Sequence, residues 1–382
     1  MVTQRDSGSA ATGGIVAQGL TMTFRTTVRS PGLRGALRSL VAPERSSKTA
    51  VRDVSFSVAP GELLALLGPN GAGKSTTIKM LTGILVPTSG EALVAGVVPY
   101  RERERNARNI GAVFGQRSQL WWDLPARESF AILRDIFGVP ADEHRSRLKE
   151  FDELLELSEF WDTRVRHLSL GQRVRCDLAA ALLHDPAIVF LDEPTIGMDV
   201  VVKEQVRGFL RHQVEQRGRA VLLTTHDMTE VERLAERCVL INHGRIVLDG
   251  RLEELRERFG GSWQIHATVA GAELDADLDP QGGLRADPAG LPGIRLLSRE
   301  GDRAVFGPAG TTPPTVPEAL RRLVSRYHIS DLTISESDLE DVMRAAYLGE
   351  EAEAGAGAGT GAGAGAGAMA EQTAAPAAEA AR

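Results

Sequence analysis

The 382-residue sequence contains only two cysteines, Cys176 and Cys238, which lie far apart and in no spacing typical of metal ligands. We therefore expect two reduced thiols that pack in the interior, without a disulfide framework. Residues 1–14 contain no apolar segment of the kind found in signal peptides. No window reaches the roughly 18 uncharged apolar residues of a membrane-spanning helix. A function at a membrane would consequently require a membrane-embedded partner.

The sequence also lacks an excess of positive charge. Its 51 acidic residues outnumber 44 basic ones, and the formal net charge is -7. This balance provides no electrostatic footprint for nucleic acid, so we expect no nucleic-acid partner. Hydrophobic residues make up 42% of the chain and charged residues 25%, as is usual for globular proteins. The length suits one large domain and a smaller one.

Changes in pattern divide the chain into segments. From Val54 to about Gly250, short apolar runs alternate with helical patterns, which indicates an α/β fold with a largely parallel, covered sheet. The tail is so rich in glycine and alanine that it cannot bury enough apolar surface to become ordered. The predicted segments are a disordered start at 1–14, a main domain at 15–258, a small α+β appendage at 262–347 and a disordered tail at 351–382.

Residues 25–49 interrupt the pattern directly after the first predicted strand. They contain six basic residues and a single acid, Glu44. Four apolar residues share one helical face in this basic insertion, namely Leu33, Leu37, Leu40 and Val41. The insertion either docks on its own domain or reaches a membrane subunit or anionic lipid. We favour docking, because the apolar face is small.

The segment GPNGAGKST matches the phosphate-binding pattern G-x-x-x-x-G-K-[ST] and lies between an apolar strand and a helical segment. Glycines in such a loop let backbone N–H groups surround phosphate oxygens at a helix N-terminus. Lys74 would reach the β- and γ-phosphates, and the Ser75 hydroxyl would bind Mg²⁺. The predicted binding residues are Gly68, Pro69, Asn70, Gly71, Ala72, Gly73, Lys74, Ser75 and Thr76.

A second apolar run, AIVFLDEP, ends in two consecutive carboxylates. Asp192 fits the role of a residue that holds Mg²⁺, through a water molecule. Glu193 fits a general base that polarises the attacking water. Paired acids at a strand end are also found in solvated turns, but the phosphate-binding loop upstream disfavours that interpretation.

The stretch HLSLGQRVRCDLAAALLHDPAIVFLDEPTIGMD resembles the core of an ATP-binding cassette (ABC) ATPase, and the resemblance extends over about residues 17–255. Family motifs occur in their usual order. Their matching residues are Gln116 in the Q-loop, Ser169, Gly171 and Gln172 in a signature close to LSGGQ, Asp199 in the D-loop, and the switch histidine His226.

The resemblance implies a P-loop NTPase of ABC type, with a RecA-like core sheet, an antiparallel β subdomain and a helical signature subdomain at about 117–180. It further implies a homodimer that closes head-to-tail around two ATP molecules with Mg²⁺. Gln116 would then contact Mg²⁺ and the attacking water. Ser169 and Gly171 would bind the γ-phosphate held by the other subunit. His226 would hold that phosphate and orient Glu193.

Two positions depart from the family or fit it loosely. Leu170 replaces the first signature glycine, but we expect the γ-phosphate contact to persist through its neighbours. Phe24 is the candidate for the aromatic residue that the family stacks on adenine. Alternatively, Phe24 is a strand phenylalanine packed in the core, and the basic insertion that follows it leaves both interpretations open.

Since the sequence has no fused membrane domain, the resemblance implies an ATPase subunit that serves separate permease subunits. GQRSQLWWDLP is similar to the corresponding segment of drug and viologen exporter ATPases, so we expect an exporter component that is cytoplasmic and peripheral on the inner face of the cell membrane. An importer ATPase and a regulatory nucleotide-binding module are the alternatives. Glu193 and His226 disfavour the regulatory module.

Trp121 and Trp122 are adjacent and follow Gln116 closely. Neighbouring side chains of a regular element cannot both face one core. The resemblance places them in the segment that links the ATP site to the membrane partner, and tryptophan is enriched at interfaces. We therefore predict a permease contact here. Alternatively, one ring packs under the helical subdomain and only the other is exposed.

Overall fold

The computed structural model describes residues 13–28, 44–115, 117–254, 263–269, 291–309 and 314–335. Several predicted features lie outside these ranges. They are most of segment 1–14, the centre of the basic insertion with its four apolar residues, Gln116, the end of the predicted appendage after residue 335 and the Gly/Ala-rich tail.

The described residues form thirteen strands and eight α-helices, with short 3₁₀ turns at Leu157–Glu159 and Val165–His167. The strands are β1 (Ile15–Val28), β2 (Glu44–Val58), β3 (Leu63–Leu67), β4 (Ser89–Val94), β5 (Ile110–Phe114), β6 (Ile188–Asp192), β7 (Ala220–Thr225), β8 (Arg237–Asn242), β9 (Arg245–Arg251), β10 (Gln264–Val269), β11 (Ile294–Glu300), β12 (Arg303–Pro308) and β13 (Ile329–Ser335). The helices are α1 (Lys74–Leu81), α2 (Arg103–Asn109), α3 (Ala126–Phe137), α4 (Ala141–Leu155), α5 (Leu170–Leu182), α6 (Val200–Glu215), α7 (Met228–Leu234) and α8 (Val316–Arg326).

The central sheet has the strand order β5-β6-β7-β3-β8-β9. Its first five strands are parallel and β9 runs antiparallel to β8. Alternate residues of one strand enter two different cores, as Leu64 and Leu66 pack in one while Ala65 and Leu67 pack in the other. Because both faces of the sheet are covered, the strand sequences are continuous apolar runs. The prediction of a covered, largely parallel sheet is confirmed.

A second sheet, β2-β1-β4, is antiparallel. β4 pairs with β1 only as far as Thr21, whereas β2 follows β1 to its end, where Val28 lies opposite Glu44. The outer parts of β1 and β2 therefore form a two-stranded ribbon beyond the third strand. The prediction that the strand pattern breaks at residue 25 is wrong. Thr26, Thr27 and Val28 are β-branched and favour an extended backbone, although no apolar alternation marks them.

Three helices, α3, α4 and α5, lie between β5 and β6 in the sequence and correspond to the predicted helical subdomain. Phe130 of α3, Phe151 of α4 and Leu178 of α5 are fully buried in the core that also covers one face of the central sheet. Phe151 meets Phe209 of α6 edge-on, with 5.6 Å between the ring centroids. Apolar packing thereby joins these helices to the strands that carry the predicted site.

The last described part is a four-stranded antiparallel sheet, β11-β12-β10-β13, with the helix α8. It has its own core, to which Trp263, Phe306 and Tyr327 contribute. α8 begins with a capping box between Thr315 and Glu318. This mixture of strands and a helix agrees with the α+β appendage predicted for residues 262–347. None of the helices in the described ranges combines the length and the apolar character that a membrane crossing requires.

Candidate functional site

The loop between β3 and α1 requires glycine at two positions. Gly68 has φ 154°, and a Cβ there would lie 2.2 Å from the carbonyl oxygen of Ile241. Gly73 has φ 114°, and a Cβ there would lie 2.7 Å from the carbonyl oxygen of Ala50. Both distances are too short for any side chain, so close packing by neighbouring backbone holds the loop at both ends. The loop is therefore built as a rigid cradle at the N-terminus of α1.

Lys74 is buried beneath this cradle and only 5% exposed. Its Nζ donates hydrogen bonds to the carbonyl oxygens of Gly68 at 2.6 Å and Pro69 at 3.3 Å. Burial lowers the pKa of Lys74, while the nearby carboxylates of Glu193 and Asp192 counteract that shift. The ammonium group is thus fixed at the loop, where the γ-phosphate of a bound nucleotide would take over its donors.

A hydroxyl and a carboxylate meet below the cradle. Ser75 Oγ donates to Asp192 Oδ1 at 3.0 Å, and Thr224 Oγ1 donates to the same oxygen at 2.6 Å. The structure therefore brings together the two described residues that were predicted to hold Mg²⁺. Sequence reasoning missed Thr224, because its role depends on the pairing of β6 with β7.

These atoms fit a magnesium ion. Mg²⁺ prefers oxygen ligands and is commonly held by one or two carboxylates together with waters and substrate phosphates. Ser75 and Asp192 supply a hydroxyl and a carboxylate at one point. Within the described ranges, no group of three or more histidine, cysteine and acidic side chains could form a closed metal site. The donor set suits an ion that shares its coordination with a nucleotide.

Glu193 has a left-handed backbone with φ 54°, which costs roughly 1–2 kcal/mol for a residue other than glycine. This conformation ends the strand and directs Glu193 away from its neighbour Asp192. Glu193 Oε1 lies 3.1 Å from Nδ1 of His226 and 3.8 Å from Nζ of Lys74. The two adjacent acids consequently have different partners, as their different predicted roles require.

Gly115 packs directly against the two acids and was missed by the sequence reasoning. Its N–H donates to the carbonyl oxygen of Asp192 at 2.9 Å. A Cβ at this position would lie 2.8 Å from the carbonyl oxygen of Glu193. Only glycine permits such an approach, and its place after an apolar run was the available signal. Gln116 follows immediately but lies outside the described residues, so its role stays a prediction.

The signature residues begin helix α5. Ser169 is the N-cap and forms a capping box with Gln172, whose backbone N–H donates to Ser169 Oγ at 3.3 Å. A Cβ on Gly171 would lie 3.1 Å from a methyl carbon of Val202 at the start of α6. Leu170 packs beside Gly197. The leucine that departs from the family pattern is therefore a packing residue between the signature and the D-loop segment.

Asp199 is the N-cap of α6, and its Oδ1 accepts a hydrogen bond from the N–H of Val202 at 3.0 Å. The segment around it exposes three apolar side chains, Ile196, Val200 and Val201.

Phe24 lies on β1 opposite Lys48 and is 38% exposed. The alternative that Phe24 packs in the core is therefore wrong, and adenine stacking stays a prediction.

An ion-pair network holds the segment that carries His226. Lys203 Nζ on α6 lies 2.8 Å from Oδ2 of Asp227, which follows the histidine and caps α7. One turn further along α6, Arg207 donates to both carboxylate oxygens of Glu230. Sequence reasoning missed this network, because no local pattern pairs α6 with α7.

Both tryptophans after Gly115 are partly solvent-accessible, Trp121 at 38% and Trp122 at 52%. The guanidinium carbon of Arg173 lies 5.7 Å from the ring centroid of Trp122, within the range of a cation–π contact. The backbone N–H of Trp121 donates to Ser129 Oγ at 3.1 Å. Neither ring packs wholly in the core, so the expectation that only one of them is exposed is wrong.

The cradle, the buried lysine, the Ser75–Asp192 pair and the adjacent acids at the carboxyl ends of parallel strands define a P-loop nucleotide-binding protein. Comparison with known proteins defines the class further. The family model "ABC transporter" matches residues 51–196. The Nod factor export ATP-binding protein I of Rhizobium sp. (strain N33) is 34% identical over 299 residues, which cover 73% of this chain and 93% of the relative.

Other relatives agree. The linearmycin resistance ATP-binding protein LnrL of Bacillus subtilis (strain 168) is 36% identical over 224 residues, 59% of this chain and 71% of the relative. A solved dimeric bacterial ABC transporter cassette superposes with a TM-score of 0.51 and is 26% identical, covering 62% of this chain and 98% of the cassette. The chain belongs to the ABC transporter ATP-binding proteins, which confirms the predicted family and fold class. It spans only 37% and 27% of two similar ABC transporter A family members of Dictyostelium discoideum.

Proposed function

We propose that the chain is the ATP-hydrolysing subunit of an ABC exporter, in which an ATP-driven homodimer of this chain energises separate membrane permease subunits. One observation supports the proposal of ATP hydrolysis most directly. Glu193 is held beside the phosphate cradle by contacts to His226 and Lys74. A protein that only bound nucleotide would not need a carboxylate beside the phosphate cradle with a histidine in contact with it.

In this proposal the residues of the chain act mainly by positioning and charge stabilisation, as is usual for phosphoryl transfer. The loop N–H groups and Lys74 bind the β- and γ-phosphates. Ser75, Asp192 and Gln116 would hold Mg²⁺, and the ion would neutralise charge on the phosphate oxygens. Glu193 accepts the proton of the attacking water, and His226 keeps the Glu193 carboxylate in place.

The proposed homodimer places Ser169 and Gly171 of each subunit on the γ-phosphate bound by the other. The exposed apolar side chains beside Asp199 support this, since Val200 and Val201 are 76% and 70% exposed in the single chain. Adjacent apolar groups at the start of a helix gain free energy when a second subunit covers them. In a twofold-symmetric dimer with two equivalent sites, the exposed apolar side chains of each subunit would be covered by the other subunit.

Export is the direction that the relatives favour, because two of them are named for Nod factor export and linearmycin resistance. Permease subunits would hold the chain at the inner face of the cell membrane from the cytoplasmic side. Their contact with the chain would include Trp121 and Trp122. Large rings with partial exposure and little conformational freedom are typical of binding hot spots.

The test of hydrolysis is Glu193→Gln. We expect ATP turnover to fall by about 10²–10⁴-fold, the usual contribution of a general base, while ATP binding and ATP-driven dimerisation persist. Glu104→Gln, which neutralises an exposed acid on α2, is the matched control and should keep full activity. Equal turnover in Glu193→Gln and the wild type would contradict the enzyme proposal. Glu193→Gln protein that stays monomeric with ATP, alone and with its permease, would contradict the dimer.

The permease contact is tested with Trp122→Ala in protein co-purified with the membrane proteins encoded by neighbouring genes. We expect permease-stimulated hydrolysis to fall more than basal hydrolysis, since the ring lies outside the phosphate cradle. Ile136→Ala removes an apolar side chain of similar exposure from α3 and should change neither rate. A parallel fall in both rates for Trp122→Ala would place the ring in the ATP site instead.

A further inference from the structure

The short segment that follows Gln116 is tied to the signature helix at one buried carboxylate. Asp177 lies in the middle of α5 and is 5% exposed. Its Oδ1 accepts a hydrogen bond from Ser118 Oγ at 2.8 Å and another from the N–H of Gln119 at 3.1 Å. In return, Nε2 of Gln119 donates to the backbone oxygen of Asp177 at 3.0 Å. Three hydrogen bonds thus join the two segments at one residue.

A second contact lies one helical turn earlier. Arg173 precedes Asp177 by four residues, which places both on the same face of α5. The Arg173 guanidinium lies over the ring of Trp122. The backbone oxygen of Trp122 also accepts a hydrogen bond from the N–H of Arg166, just before the signature. Residues 118–122 are therefore held to the helix that Ser169 begins.

Among the described residues, Asp177 forms no hydrogen bond or ion pair with the cradle or with Asp192 and Glu193. Burial raises its pKa to about 6, although the hydrogen bonds from Ser118 and Gln119 and the charge of Arg173 partly offset this. An apolar side chain would fill this place without the free-energy cost of burying a charged carboxylate. The carboxylate is useful here because its oxygen can accept both hydrogen bonds from the loop.

We propose that Asp177 is a positioning residue that makes residues 118–122 and helix α5 move as one unit, so that displacement of the signature at Ser169 displaces Trp122 and the reverse. The inference rests on the proposed function, in which Ser169 binds the nucleotide of the other subunit. Closure of the dimer would then change the surroundings of Trp122, and a permease acting on Trp122 would shift the signature.

The test uses the full chain with Trp122 as its only tryptophan, made with Trp121→Phe, Trp161→Phe and Trp263→Phe in the Glu193→Gln protein. ATP should shift the fluorescence of Trp122 as the dimer forms, which light scattering follows in parallel. Asp177→Asn should keep the shift, because an amide oxygen accepts the same two hydrogen bonds. Asp177→Ala should lose most of it while still dimerising. Glu153→Ala, an exposed acid on α4, is the control and should behave as the parent.

A second readout needs no dimer. Acrylamide should quench Trp122 more strongly in Asp177→Ala than in Asp177→Asn, because the loop is released from the helix. Ser118→Ala removes one of the two hydrogen bonds to the Asp177 carboxylate and should give an intermediate result, even if Asp177→Ala is poorly folded. Equal quenching in all three variants, or a full fluorescence shift in dimeric Asp177→Ala, would overturn the inference. A parent that never dimerises with ATP, but shows the expected quenching order, would contradict the proposed function alone.

Discussion

Glu230→Gln should destabilise the ATPase domain strongly, because it removes the charge that balances a buried arginine. Arg207 and Glu230 are 4% and 1% exposed at their side chains. Nη2 and Nε of Arg207 donate to the two oxygens of Glu230 at 2.5 and 3.2 Å. The hydrogen bonding of Arg207 to Glu230 is also the largest cause of the raised pKa of Arg207. Removing one partner of such a pair costs about 3–5 kcal/mol, since the other charge stays buried.

The expected loss for Glu230→Gln is at the lower end, about 3 kcal/mol, because glutamine keeps the shape and one acceptor oxygen. Urea unfolding followed by tryptophan fluorescence measures it, since three of the four tryptophans lie before residue 255. Glu204→Gln is the matched control. Glu204 binds the same Arg207 at 2.8 Å, but it lies at the surface and should leave the unfolding midpoint nearly unchanged.

The double variant Arg207→Met with Glu230→Leu extends the test. Apolar residues of similar size often replace a buried ion pair without loss, so the double variant should recover most of the stability that Glu230→Gln loses. Two results would refute the reasoning. One is an unchanged midpoint in Glu230→Gln, and the other is an equal loss in Glu204→Gln and Glu230→Gln.

Three further predictions concern Leu170, Asp177 and the two cysteines. Leu170→Gly should change ATP turnover only modestly, because Ser169 keeps its hydroxyl and cap, and complete loss of ATP-driven dimerisation would contradict this. The pKa of Asp177 rises from 3.8 to about 6 on folding, so the folded state binds the proton of this carboxyl more tightly than the unfolded state does. The free energy of unfolding of the wild type should therefore fall by at most about 3 kcal/mol as pH rises from about 4 to 6, and this contribution should stay constant above pH 6. Urea unfolding measured across this pH range that gives parallel curves for wild type and Asp177→Asn would refute the prediction. Burial raises the pKa of the Cys176 and Cys238 thiols to about 12. A disulfide reagent at pH 8 should therefore label neither thiol in the native protein and both in urea. Rapid labelling of the native protein would contradict the buried position of the two thiols.

Local sequence patterns predict the site where the chemistry is carried by one continuous segment. The cradle from Gly68 to Gly73 needs glycine where neighbouring backbone packs closely against the loop. The glycine pattern can therefore be recognised in the sequence without knowledge of the fold. The same holds for the apolar run that ends in Asp192 and Glu193, because a strand buried on both faces is apolar throughout. The capping box of Ser169 and Gln172 is likewise readable, since both partners lie within one helical turn.

Residues that act across the sheet were not predictable in this way. Thr224 reaches Asp192 only because β7 lies beside β6, and Asp177 meets Gln119 across 58 positions of sequence. Neither residue type signals such a contact by itself. The ribbon formed by β1 and β2 was missed for a different reason. Its outer residues pair by backbone hydrogen bonds beyond the third strand, and such pairing leaves little trace in apolar periodicity.

The capping box at Ser169 limits which residues can occupy that position. As an N-cap alone, aspartate or asparagine would serve α5 as well as serine does. A serine hydroxyl, however, accepts the helix N–H of Gln172 with a lone pair and keeps its own proton to donate. Aspartate has no proton to offer and would repel a phosphate at the same place. Among variants selected only for a stable fold, aspartate should therefore be accepted here, whereas selection for ATP-driven dimerisation should exclude it.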